Sequence, residues 1–192
     1  MKRFVVASAS PRRRELLKNV GFRFEIIPSD ADESCDDSLA PEELVCELAG
    51  IKAKSVFSEN KDAVVLGCDT VVEYDGIVLG KPESREEAKR MLSLLSGRVH
   101  NVHTGVCIIS KEKTESFVST VKVKFYELSE NLIDSYIATG ESDDKAGAYG
   151  IQGLGSVLVK GINGDYFSVV GLPLAETVRR LAGFGITSDL KV

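Results

Sequence analysis

No two of the four cysteines, Cys35, Cys46, Cys68 and Cys107, stand at C-x-x-C spacing, which excludes a zinc knuckle and the disulfide framework of a small secreted domain. No apolar run approaches the thickness of a bilayer. The first, in MKRFVVASASPRRRELL, meets Arg12, Arg13 and Arg14 almost at once, so neither a signal peptide nor a membrane span fits. Basic charge is not in excess either: 24 Lys and Arg against 29 Asp and Glu give a formal charge of −5, so any positive region is local and a general nucleic-acid surface is excluded. Internal repeats, low-complexity tracts and linkers rich in Pro, Gly or Ser are missing too. These absences predict a cytoplasmic protein in a reducing compartment, starting near Met1, with no membrane and no nucleic-acid partner.

The 192 residues, 43% hydrophobic and 28% charged, suffice to bury a sizeable core in one domain or two closely packed lobes. The pattern alternates strand and helix. Arg3 to Ser8 reads as a buried strand, and Ser10 with Pro11 predicts an N-cap and first helical residue of a helix that stops at Gly21. Phe22 to Pro28 predicts a second strand, followed by an acidic loop from Asp30 to Asp37. Pro41 opens a long helix in which Leu44, Leu48 and Ile51 recur at helical spacing. Ala63 to Tyr74 and Ile77 to Leu79 flank Asp75-Gly76 and predict a hairpin. Ala88, Met91, Leu92 and Leu95 mark the inner face of a helix ending at Gly97. Two long strands, Val99 to Ser110 and Glu115 to Leu128, precede a helix capped by Ser129. Ser156 to Lys160 and Tyr166 to Val170 predict a hairpin about Asn163-Gly164, and Pro173 begins a last helix running through Leu181. The class is α/β with a mixed sheet.

Six segments are candidates for chemistry. A-S-A-S-P-R-R-R, with Ser8, Ser10, Arg12 and Arg13, places small residues and guanidinium groups between a strand end and a helix N-terminus, where backbone N–H groups and the dipole favour an anion such as phosphate; a capped surface helix with solvated arginines has the same composition. Asp69 interrupts A-V-V-L-G-C-D-T-V-V, a run that otherwise reads as buried strand. An unpaired buried carboxylate is costly, so Asp69 must be hydrogen-bonded, bound to metal or at the mouth of a cleft, the last making it a candidate base. Glu33 lies in D-A-D-E, which can hold a hard cation through oxygen or can be solvated loop charge. Lys52 falls on or beside the apolar stripe of its helix, where snorkelling is the ordinary explanation. Lys81, in L-G-K-P, can reach a phosphate, although the segment lacks the glycine spacing and the Ser or Thr of a Walker A loop. D-K-A-G-A-Y-G-I-Q-G-L-G packs glycines, Tyr149 and Gln152 into an irregular stretch, and a glutamine can read the edge of a base. His100 and His103 point to opposite faces of a strand and are no metal pair. A Gly-x-Ser-x-Gly elbow is absent, which argues against covalent hydrolysis.

Taken together, A-S-A-S-P-R-R at 7–13, G-C-D-T-V-V at 67–72, L-G-K-P at 79–82, K-A-G-A-Y-G-I-Q-G at 145–153 and V-G-L-P at 170–173 resemble the Maf family, in the family's order and across nearly the whole chain. The resemblance implies one domain over 1–192, an elongated mixed sheet flanked by helices, in two lobes around a central cleft and related to the inosine triphosphate pyrophosphatases. It implies a homodimer and a divalent metal cofactor, Mg²⁺ first with Mn²⁺ or Co²⁺ as alternatives. Asp69 matches the family's catalytic aspartate and Arg12 its phosphate-binding arginine. Glu33, Lys52 and Lys81 fall on its polar cleft positions, and Thr70 and Gln152 on positions linked with substrate choice. The expected reaction is hydrolysis of a nucleoside triphosphate to monophosphate and pyrophosphate. Asp69 and Glu33 would serve as catalytic groups and metal ligands, while Ser8, Ser10, Arg12, Arg13, Lys52 and Lys81 bind the phosphates and Arg12, Thr70 and Gln152 select the nucleotide. The K-A-G-A-Y-G-I-Q-G segment looks like the branch acting on dTTP and UTP, and an association with septum formation and protection against modified nucleotides comes with the resemblance. Asp69 is also what separates an enzyme from a nucleotide sensor, which has no evident need for a carboxylate beside phosphates that it repels.

Overall fold

Helix α1 (Pro11–Asn19) ends through its glycine: Gly21, with φ of 83°, lets Gly21 N–H reach Lys18 O at 2.9 Å and Phe22 N–H reach Leu17 O at 3.1 Å. The computed structural model, which describes residues 2–36 and 38–189, thereby corrects the expected second strand. Phe22 belongs to the helix termination and packs edge-on against Phe4, so β2 shrinks to Glu25–Ile26. It pairs in parallel with β1 (Arg3–Val6), and β1 pairs in parallel with β3 (Ala63–Tyr74). The Asp75-Gly76 turn forms as expected. Both residues have positive φ, 53° and 77°, which sets β4 (Ile77–Leu79) antiparallel to β3. With β5 (Val99–Ile109), β6 (Thr114–Phe125) and β7 (Val159–Asn163), the described strands make a seven-stranded mixed sheet in the order β2-β1-β3-β5-β6-β7, with β4 attached to β3. No helix among the described residues is long and apolar enough to cross a membrane.

The chain divides into two compact units, one of Met1–Asp69, Thr104–Ser119 and Gly171–Val192, the other of Thr70–His103 and Thr120–Val170. In the first, α2 (Pro41–Glu59) covers β1, β3 and β5 through Val45, Ala49, Ala53 and Val56. Leu44, Leu48 and Ile51, the expected inner stripe, are only half-buried. Glycine on the sheet explains the shift. A Cβ on Gly67 would stand 2.2 Å from Ala49 O, and one on Gly105 2.2 Å from Val45 O, so helix backbone rests on strand backbone and only small side chains fit between. A last helix, α6 (Leu174–Gly183), follows Pro173 and buries Leu174, Val178 and Leu181.

The second unit has its own core. Helix α3 (Arg85–Leu95) buries Ala88, Met91, Leu92 and Leu95, the four expected positions, and Ser84 Oγ caps it by accepting from Glu87 N–H at 3.1 Å. It packs on α4 (Glu130–Ala138), capped by Ser129 Oγ from Leu132 N–H at 3.2 Å. The tail corrects a further expectation. Gly153–Leu158 is a 3-10 turn leading into β7, and Tyr166–Val170 is not a strand but helix α5. Asp165 caps that helix, accepting from Phe167 N–H at 3.2 Å and Ser168 N–H at 3.1 Å, and this outweighs the Asn163-Gly164 hairpin signal.

Candidate active site

Parallel pairing of β1 with β3 points their carboxyl ends the same way, the side on which open α/β sheets hold ligands. Val6 is in register with Leu66, and Ala7 N–H donates to Leu66 O at 2.8 Å. The loop from Ser8 to Ser10 therefore leaves β1 alongside the stretch of β3 that continues through Gly67 and Cys68 to Asp69. Along β3 the first six residues are buried, Asp69 and Thr70 are half-buried, and Val71 and Val72 are buried again, so the carboxylate sits at a break in the buried run.

Asp69 is paired. Lys52 Nζ lies 2.5 Å from Asp69 Oδ1 and 3.0 Å from Glu33 Oε2, with the Lys52 and Asp69 side chains each 15% exposed and Glu33 47%. The packing of α2 on Gly67 makes this contact: Lys52 lies between Ala49 and Ala53, the residues against Gly67, and Asp69 follows Gly67 by two on the same strand face. Glu33 arrives by a turn, as Asp32 Oδ1 accepts from Ser34 N–H at 3.0 Å. Burial by itself would lower the Lys52 pKa, but Asp69 and Glu33 outweigh it and raise the ammonium above its ordinary value.

On the α1 side, Ser10 occupies the N-cap and Pro11 opens the helix, as expected, although the Ser10 hydroxyl makes no capping bond. Ser8 is buried, and its Oγ accepts from Ser10 N–H at 3.3 Å and from Arg13 Nη1 at 3.2 Å. Arg13 Nε donates to Gly171 O at 2.8 Å, and Cys68 Sγ approaches the same carbonyl at 3.1 Å. Gly171 thus fastens α1 to β3 beside Asp69. Burial pushes the Cys68 thiol up to about 11, so it is a neutral donor in this knot. Arg12, half-buried, stands in the first turn of α1.

The structure thus unites Asp69, Lys52 and Glu33 directly, and joins Ser8, Ser10 and Arg13 in a second hydrogen-bonded group. Thr70, Lys81 and Gln152 belong to the other unit: Thr70 is half-buried in β3, Lys81 is exposed just after β4, and Gln152 is exposed ahead of the 3-10 turn. Sequence reasoning missed the structural parts of Gly67, Cys68 and Gly171. Gly67 and Cys68 sit in G-C-D-T-V-V and Gly171 in V-G-L-P, but no periodicity marks a glycine that receives a helix.

The family model described as Maf-like protein matches residues 3–184. A dTTP/UTP pyrophosphatase of Bacillus cereus (strain G9842) is 51% identical over 186 residues, 97% of each chain, and one of Bacillus anthracis is 50% identical with the same coverage. Among solved structures, the Staphylococcus aureus Ham1 protein aligns at 16% identity and a TM-score of 0.46, covering 82% of this chain and 80% of that one. On the family match and on half-identity along almost its full length, this chain belongs to the Maf family.

Proposed function

We propose that the protein is a nucleoside triphosphate pyrophosphatase that hydrolyses dTTP and UTP to the nucleoside monophosphate and pyrophosphate. The observation that carries this reading is the Asp69, Lys52 and Glu33 group beyond the carboxyl end of β1, where open α/β sheets commonly hold ligands. The half-identical relatives named dTTP/UTP pyrophosphatase support the same substrates.

In the proposed reaction Arg12 and the first turn of α1 hold phosphate oxygens, with Ser8 and Ser10 shaping the loop. Arg13 lends charge while keeping Ser8 and Gly171 in place. Asp69, assisted by Glu33, orients a water and takes its proton. The water oxygen bonds to the α-phosphorus as the bond from that phosphorus to the bridging oxygen breaks, and pyrophosphate leaves with the electron pair. Lys52 and Lys81 offset the developing charge; positioning and charge stabilisation are most of what such displacements ask of a protein. Thr70 and Gln152 take part in substrate choice.

Among the described residues no three of His, Cys, Asp and Glu group to hold a metal ion. The two carboxylates fit Mg²⁺ in the way usual for nucleotide enzymes, where one or two carboxylates are completed by phosphate and water, and Mn²⁺ or Co²⁺ by the same oxygens. Asp69 and Glu33 would hold it, and it would neutralise phosphate charge when bound. We also read the protein as a cytosolic homodimer, linked to septum formation and to protection against modified nucleotides.

The deciding experiment is pyrophosphate release from dTTP, UTP, CTP, ITP and 7-methyl-GTP, with Mg²⁺ and with chelator, by the unaltered chain and by Asp69→Asn. Metal-dependent turnover confined to dTTP and UTP, and lost in the variant, is expected. Nucleotide binding without turnover would make the protein a sensor instead.

A further inference from the structure

The segment from Gly150 to Gly155 carries Gln152, and until the 3-10 turn begins at Gly153 it has no ladder of its own, so its N–H groups need acceptors from elsewhere. Those of Gly150, Leu154 and Gly155 converge on a single carboxylate and its phenol neighbour. Leu154 N–H donates to Glu141 Oε2 at 2.9 Å and Gly155 N–H to Oε1 at 3.0 Å. Tyr136 hydroxyl donates to the same Oε1 at 3.2 Å and accepts from Gly150 N–H at 3.2 Å. The far end of the loop is thus held by Glu141 and the near end by Tyr136. Those ends also touch, since a Cβ on Gly155 would stand 2.2 Å from Gly150 O. Lys145 donates to the Glu141 carbonyl and, at 2.7 Å, to Asp144 Oδ1, fixing the segment from which the carboxylate projects.

The result is a closed loop with Gln152 exposed at its tip and Leu154 56% exposed, so side-chain packing does little to hold its far half. Hydrogen bonds do. Burial favours a neutral Glu141, but the Gly155 and Leu154 amides outweigh it and hold its pKa below the usual carboxylate value. These bonds are therefore charge-assisted, the stronger kind.

We propose that Glu141 is a positioning residue for nucleotide selection: through the Leu154 and Gly155 amides it fixes the pose of Gln152, and so the choice of base, without touching substrate itself. The inference rests on reading Gln152 as a base-selecting residue. Glu141→Ala, Glu141→Gln and Gln152→Ala are to be compared with the unaltered chain in kcat and KM for dTTP, UTP, CTP and ITP, alongside hydrogen exchange at the Leu154 and Gly155 amides of the ligand-free protein. Glu141→Ala should speed exchange at both amides by about tenfold or more. It should raise KM for dTTP and UTP with kcat kept within about threefold, and it should narrow the preference for dTTP over CTP as Gln152→Ala does. Glu141→Gln, which keeps one acceptor oxygen, should fall between, and it carries the test if Glu141→Ala does not fold.

A merely structural Glu141 would depress kcat for all four nucleotides alike. Unchanged exchange at the two amides, or base preference retained in both Glu141 variants while Gln152→Ala relaxes it, would overturn the inference. If Gln152→Ala itself leaves base preference unchanged, the assignment of Gln152 is wrong and the inference falls with it, a result distinct from the other two.

Discussion

Lys52 holds two carboxylates with one ammonium group, at 2.5 Å and 3.0 Å, in a site where its side chain is only 15% exposed. Because Asp69 and Glu33 raise its pKa against the effect of burial, it stays charged throughout the neutral range. Truncation to Lys52→Ala leaves Asp69 without its counter-ion, at a cost of about 2 kcal/mol, less than for a fully buried pair because water reaches the site. On the proposed mechanism kcat/KM should also fall by about 10²- to 10³-fold, the usual effect of removing one group that stabilises transition-state charge. Lys52→Arg should restore stability better than turnover, since a planar fork cannot replace a point charge shared by two carboxylates. Urea unfolding and pyrophosphate release check the two effects separately, and wild-type kcat/KM in Lys52→Ala would remove Lys52 from the mechanism. Asp69 is legible in the sequence because a carboxylate breaks an apolar run. Glu33 is not: it is one of several acids in a loop, and only a family resemblance ranks it above Asp30, Asp32 or Asp36.

At the scale of elements, the site depends on how closely α2 lies on the sheet. Gly67→Ala would put its Cβ 2.2 Å from Ala49 O and 2.8 Å from Ala53 N, both backbone atoms, so the helix must move. The expected cost is about 3 kcal/mol, typical of overpacking against a surface that cannot yield. Activity should fall further than stability explains, because the same shift draws Lys52 from Asp69. Gly161→Ala in β7 is the control, since its Cβ would meet nothing within 4 Å, and it should leave both stability and turnover unchanged. Equal denaturant midpoints for the two variants would contradict the argument. This contact also separates what can be read from the chain from what cannot. Helix α3 packs side chain on side chain, and its stripe at Ala88, Met91, Leu92 and Leu95 is visible as a period. Helix α2 packs on glycine, so its inner face is chosen by residues on β3 and β5 and not by its own leucines. Local signals prevail where nothing competes, as at Asp75-Gly76. At Asn163-Gly164 the cap supplied by Asp165 wins, and a helix stands where a strand is expected.

For the molecule as a whole, stability should decline on the acid side earlier than carboxylates alone require, and the cause lies in the core of the second unit. His100 is 2% exposed, with Nε2 2.7 Å from the Tyr149 hydroxyl, its ring edge-on to Phe125, and Nδ1 without a hydrogen-bond partner. A protonated imidazole there would bury both a charge and an unsatisfied N–H. Burial accordingly lowers its pKa from 6.5 to about 4, with Glu73 opposing weakly. In the unfolded chain the ring takes up a proton near its ordinary value, so between the two pKa values the unfolded state binds more protons and stability rises with pH. The contribution is complete above about pH 6.5 and is lost progressively as pH falls towards 4, in total about 3 kcal/mol. Glu73 and Glu141, both lowered by their hydrogen bonds despite burial, push in the same direction but only as pH falls through the carboxylate range. His100→Asn keeps an acceptor for Tyr149 and removes the titration. It should be less stable at pH 7, yet lose stability between pH 6.5 and 4.5 with a slope shallower by as much as about 1.4 kcal/mol per pH unit. Urea unfolding across that range should be run at low protein concentration, because the isoelectric point of about 5.2 falls inside it. Parallel slopes for the two proteins would mean that His100 takes up its proton in the folded state as readily as in the unfolded chain.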